Sequence, residues 1–99
     1  MDSEVGHEIS KEVFMLDDIL SLADEVIEEI IIGIDHSILV RFLVAIEDQQ
    51  IRQKIFDNLT IRATSIMHED MEIMGSLTIL EKEQAINDML SAIRHLMNY

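Results

Sequence analysis

Nowhere in its 99 residues does the chain place a proline, and it carries only three glycines, Gly6, Gly33 and Gly75. Proline and glycine supply most sharp turns and helix breaks, whereas the Ile, Leu, Met, Glu and Asp that dominate here fill helices and leave turn-rich β architecture short of turn residues. An all-α protein is therefore expected. A chain this long buries roughly 60–65% of its unfolded surface around one core, so a single domain is expected. With 48% of its residues apolar, it can offset the entropy of ordering itself.

Residues 1–12 are polar and aperiodic and read as a lead-in or tail, leaving residues 13–99 as the helical domain. Phe14, Leu16, Ile19 and Leu20 suggest a first short apolar helix or turn, broken near Ser21. Ser21 or Asp24 can cap a second, whose Val26, Ile27, Ile30, Ile31 and Ile34 recur at helical spacing, with Gly33 as its closing residue. Asp35 or Ser37 opens a third, with Ile38, Leu39, Phe42, Leu43 and Ile46 inward, and Glu47 and Asp48 mark its end or the next start. A fourth turns Ile51, Ile55 and Phe56 inward and Gln50, Arg52, Gln53 and Lys54 mostly outward. Asn58 or Thr60 caps a fifth that runs to Gly75. Thr78 to Glu81 has the form of a capping box and opens a sixth, with Leu80, Ile86, Leu90, Ile93 and Met97 on its buried stripe. About six helices joined by short loops predict a compact right-angled or superhelical bundle of the armadillo-like kind.

Several kinds of chemistry are poorly served. Seven Lys and Arg stand against twenty Asp and Glu, and a net charge of -13 repels both a phosphate backbone and an anionic membrane surface, so no nucleic acid and no membrane is expected as partner. The longest apolar run, Ile30 to Ile34, is far short of the ~20 residues of a spanning helix. The first thirteen residues carry acids where a signal peptide carries bases, so a soluble chain is expected. Without cysteine there is no disulfide and no thiolate metal site, in keeping with a cytosolic protein.

The histidines His7, His36, His68 and His95 stand in no metal-binding spacing and read as solvated or capping residues. The acidic pairs Asp17/Asp18, Glu28/Glu29 and Glu69/Asp70 could serve acid–base or metal chemistry, but neighbours on a helix point about 100° apart and rarely converge. No nucleophile elbow, P-loop or dinucleotide fingerprint occurs, so neither an enzyme nor a cofactor is expected.

Acid is concentrated at the front: residues 1–35 hold eleven Asp and Glu against Lys11 alone, and the other six basic residues follow from Arg41 onward. Such polarity reads as an ordinary solvated exterior or as a surface that steers a charged partner. In Asn58 to Gly75, Arg62, Glu69 and Asp70 recur at i, i+7 and i+8, while Met67, Met71 and Met74 form a separate stripe read as core filling.

An ordered series of segments resembles the C-terminal subdomain of the flagellar motor switch protein FliG family. "VFMLDD" (Val13 to Asp18) resembles its M-F-x-F hinge motif with a following acidic pair, so Val13, Phe14, Met15 and Leu16 take the hinge-like positions. "LADEVIEEIIIGID" resembles L-D-D-x-x-I-Q-x-x-L-x-x-V-D, and "IRQK" resembles L-R-E-K. "NLTIRATSIMHED" resembles N-M-S-x-R-A-A-x-x-L-x-x-D, "EKEQ" resembles E-x-E-Q, and "IRHL" falls at the closing R-R-L. The series covers residues 13–97 in order. It implies a six-helix unit on the rotor side of the flagellar motor, at the cytoplasmic rim of the basal body and peripheral to the inner membrane. By resemblance a charged ridge, here Arg62, Glu69 and Asp70, meets the cytoplasmic loop of the membrane-embedded stator for torque generation and switching, beside other switch-complex proteins. Two positive ridge positions are absent: the ridge lysine falls on Val44 or Ala45, and G-P-V-R is shortened to "GSLT". A second expectation follows, a non-motor adaptor that keeps the fold and binds another protein through an apolar or acidic patch. Phe14 and Leu16, if exposed, are candidates for self-association.

Overall fold

The computed structural model describes residues 14–97, so the lead-in read at 1–12 and the hinge-like Val13 lie outside the described residues. A 3-10 turn, Leu16–Ser21, comes first, followed by α1 (Asp24–Gly33), α2 (His36–Ala45), α3 (Gln49–Asp57), α4 (Ile61–Met74) and α5 (Ile79–Leu96). Six helical segments and an all-α fold are thus what the sequence predicts.

Side-chain caps substitute for the missing proline and glycine. Asp35 accepts from the Ser37 amide at 2.9 Å and opens α2, Asp48 accepts from the Gln50 amide at 2.9 Å and opens α3, and Thr60 accepts from the Ala63 amide at 3.0 Å and opens α4. The predicted capping box opens α5: the Glu81 amide donates to the Thr78 hydroxyl at 3.1 Å, and the Thr78 amide donates to the Glu81 carboxylate at 2.9 Å. Gly75 ends α4 at φ 73° and ψ −155°, a conformation almost closed to residues with a Cβ.

Four expectations are corrected. Neither Ser21 nor Asp24 caps α1: Ala23 holds the cap position with no side-chain bond, while Asp24 and Glu25 lie in the first turn, where carboxylates favour the positive end of the helix dipole. Gly33 does not close α1 with a positive φ; it is the last helical residue, and a Cβ there would stand 2.9 Å from Cδ1 at the end of the partly exposed Leu96 side chain. Leu80 is exposed, and Ala85 and Met89, which the sequence reading passed over, are buried in its place beside Leu90 and Ile93. Arg52 does not point mostly outward. Its guanidinium turns back on the end of α2, donating to the carbonyls of Leu43 at 2.9 Å and Ile46 at 2.5 Å.

The core centres on α2, which packs most extensively on α5 and next on α4, while the 3-10 turn lies on α3 and α1 on α5. Phe42, Leu43 and Ile51 are fully enclosed among Ile19, Ile27, Ile55, Met67, Met89 and Ile93. Each such side chain contributes about 1.5–3 kcal/mol relative to exposure. No polar or charged residue is buried among the described residues. Phe14 joins this core at 4% exposure, and its carbonyl accepts from Arg94 of α5 at 3.2 Å. Leu16 is half-buried. The exposure that would make Phe14 a self-association contact is therefore not found.

Candidate functional site

Helix α4 has two working sides. Met67 is buried, and Met71 and Met74 pack half-buried against the core, so the methionine stripe faces inward as predicted. That fixes the rotation of the helix and turns Arg62 and Glu69 to solvent. At 1.5 Å of rise per residue they stand about 10 Å apart along the axis, too far to neutralise one another. Six of the seven Lys and Arg lie among the described residues, and most are committed. Arg41 pairs with Asp88 at 3.6 Å, Lys82 with Glu47 at 3.4 Å, Arg52 caps α2, and Arg94 holds Phe14. Of these six, only the side chains of Arg62 and Lys54 make no hydrogen bond or ion pair with a described residue.

Asp70 behaves differently from its neighbour Glu69, as the offset of about 100° between adjacent helix positions requires. It is half-buried and lies 2.6 Å from Nε2 of His36, the first residue of α2, so this carboxylate ties α4 to the start of α2. His36 itself remains more than half exposed. Beside it, the Ser37 hydroxyl and amide both donate to Asp35 and hold that carboxyl below its ordinary pKa. His68 stacks on Phe56 of α3, with ring centroids 4.7 Å apart and planes 6° from parallel, so it too has a packing partner. His95 lies exposed in the last turn of α5, where a cation suits the helix dipole, and His7 lies outside the described residues. Of the hinge-like positions, Phe14 is buried, Met15 exposed and Leu16 half-buried.

The two positions the resemblance assigns to the ridge lysine carry no charge toward solvent: Ala45 is buried and Val44 half-buried. Two residues on the exposed side of α4 escaped the sequence reading. Ile66 is 44% and Ile73 79% exposed, and with Arg62 and Glu69 they form one line at i, i+4, i+7 and i+11. That spacing was the available signal, obscured because isoleucine in an amphipathic helix is ordinarily assigned to the core. Among the described residues no group of His, Asp and Glu could hold a metal ion, and no helix is long and apolar enough to cross a membrane.

The family model described as the FliG C-terminal domain matches residues 1–99. The chain is similar to the flagellar motor switch protein FliG of Borreliella burgdorferi, at 35% identity over 95 residues covering 96% of this chain and 27% of that protein. It is also similar to the proteins of the same name from Aquifex aeolicus, at 32% identity over 98% of this chain and 29% of the relative, and from Thermotoga maritima, at 30% over 94% and 28%. The chain thus spans under a third of the length of these relatives.

Proposed function

Because the chain belongs to the FliG C-terminal domain family, we propose that it serves as a rotor-side component of the flagellar motor switch complex, at the cytoplasmic face of the inner membrane. It works by contact rather than catalysis. The exposed line of α4 meets the cytoplasmic loop of the stator, and the other switch proteins are its neighbours. The observation that carries this reading is Arg62: it is exposed and unpaired on the helix the resemblance assigns to the ridge, with Glu69 two turns on. Exposed charges contribute only about 0.2–1 kcal/mol per pair, which suits a contact made and broken repeatedly. They orient and accelerate encounter more than they hold. Within the proposed ridge, Asp70 is the member whose charge also fastens α4 to His36.

The test is reversal of Arg62 in the native gene. Arg62→Asp slows or stops swimming while the melting temperature of the purified chain stays unchanged. Normal swimming at normal expression removes Arg62 from the mechanism.

A second reading is supported by the uncharged Val44 and Ala45 positions and by the exposed Ile66 and Ile73: an adaptor outside the motor, using the same fold. It predicts unaltered swimming when the gene is deleted, and a bound partner that is neither stator nor switch protein.

A further inference from the structure

A groove runs along α4, walled opposite first by α1 and then by the start of α2. Its upper part, about 380 Å³, is walled by Ile31, Ile32 and Ile34 on one side and by Ala63, Ile66 and Met67 on the other. His36 closes this part and also opens the next, a second depression of about 240 Å³ between Ser37 and Val40 of α2 and Ile73 and Met74 of α4. The floor and walls are mostly apolar apart from Ser37 and the His36–Asp70 bridge between the two parts. Ile32 on the α1 side is 85% exposed and Ile73 on the α4 side 79% exposed, so water covers side chains that the core does not use.

The rim is acidic. Glu28 and Glu29 lie one turn before Ile32, Asp35 precedes His36, Glu69 stands between Ile66 and Ile73 along α4, and Glu72 immediately precedes Ile73, with Arg62 as the positive exception. A second copy of the chain would bring the same acids against these, at a net charge of -13 on each molecule, and an anionic surface would be repelled likewise. Spacing identifies the shape of the occupant. Ile66 and Ile73 are two turns, about 10 Å, apart along α4, the separation of apolar anchors at i and i+7 on a helix lying alongside.

From this groove, its acidic rim and its two-turn spacing, we infer that the chain seats a basic amphipathic helix of a partner protein along α4, against α1 and the start of α2, apolar residues inward and Lys or Arg toward the rim. The inference rests on the reading that the exposed side of α4 is the contact face, and adds that the contact is apolar at its centre rather than charge against charge throughout. Arg62 and Glu69 then orient the partner while Ile32, Ile66 and Ile73 hold it.

The experiment is an amide NMR titration of the whole chain with synthetic helices of roughly 18 residues, long enough to be helical. One carries leucines at i, i+3, i+4 and i+7 and lysines elsewhere. A second has the same composition with leucines on all faces, and a third replaces lysine by glutamate. The amphipathic leucine–lysine helix binds about tenfold tighter than its scrambled form and shifts the amides of Ile32, His36, Ile66 and Ile73, while the glutamate helix does not bind. Ile32→Ser and Ile73→Ser, at positions exposed enough to spare the fold, each weaken binding about tenfold, and do so in ~1 M salt, where charges are screened beyond about 3 Å. Equal binding of the scrambled helix, shifts elsewhere, indifference to both substitutions, or no binding by any peptide overturns the inference. The outcomes separate from those for the ridge. A failed titration with a swimming defect in Arg62→Asp removes the groove and keeps the ridge, and a successful titration with normal swimming does the reverse.

Discussion

Arg52→Met tests whether the corner between α2 and α3 is held as described. The methionine keeps much of the aliphatic stem and removes the guanidinium, whose Nη2 donates to the Leu43 and Ile46 carbonyls. Bonds from a charged donor contribute about 1.5–3 kcal/mol each, and since one nitrogen serves both in a half-buried place, the lower figure applies, for a loss of about 3 kcal/mol. Against this stands Nε of the same side chain, buried without a partner, whose removal relieves about 1 kcal/mol. The net destabilisation is about 2 kcal/mol. In urea, with a slope of about 2 kcal/mol per molar, the midpoint falls by about 1 M, and the melting temperature by about 8–16 °C. Arg52→Lys keeps the charge but not the fork and recovers about half. A midpoint shift below about 0.2 M for Arg52→Met, at unchanged slope, would refute the capping argument and return Arg52 to the solvated exterior.

Two further substitutions probe the helix ends. Gly75→Ala meets no neighbouring atom, so its cost is backbone strain alone, about 1–3 kcal/mol in a denaturant melt; no loss would mean that the turn relaxes to a negative φ. Asp35 has a carboxyl whose folded pKa is depressed below the ordinary 3.8, so the stability it adds is present above that value and lost as pH falls through the folded value. Asp35→Ala is therefore less stable than the parent near neutrality, the difference narrows below pH 3.8, and a gap constant through that range would remove the Ser37 bonds as its cause.

What the sequence made legible was chiefly local. Asp35, Asp48, Thr60 and the Thr78–Glu81 box act within three residues of themselves, so their patterns carry their own explanation. Arg52 was misplaced because its partners lie six and nine residues back on another helix, and a polar side chain at a surface-like spacing gives no sign of that. Leu80 and Met89 exchange roles because the rotation of α5 is set by α2, not by where the apolar residues of α5 begin. On α4 the spacing of Arg62 and Glu69 was readable, whereas the bond between Asp70 and His36 spans 34 residues and needs the fold. Ile66 and Ile73 needed it too, since only the packed position of Met67 determines which isoleucines are left outside.

The bond from Arg94 to the Phe14 carbonyl joins residues 80 positions apart. For a domain proposed to work in a motor, this gives a path for mechanical load. Tension applied to the backbone at Phe14 does not fall first on the 3-10 turn, whose short hydrogen-bonded loops would unwind singly. It is divided between the Phe14 ring, wedged in the core, and the guanidinium of Arg94, which passes it into the longest helix and from there across the face shared with α2. A pull at Phe14 therefore reaches the most extensively packed pair of helices, α2 and α5, through one side-chain bond as well as through the chain.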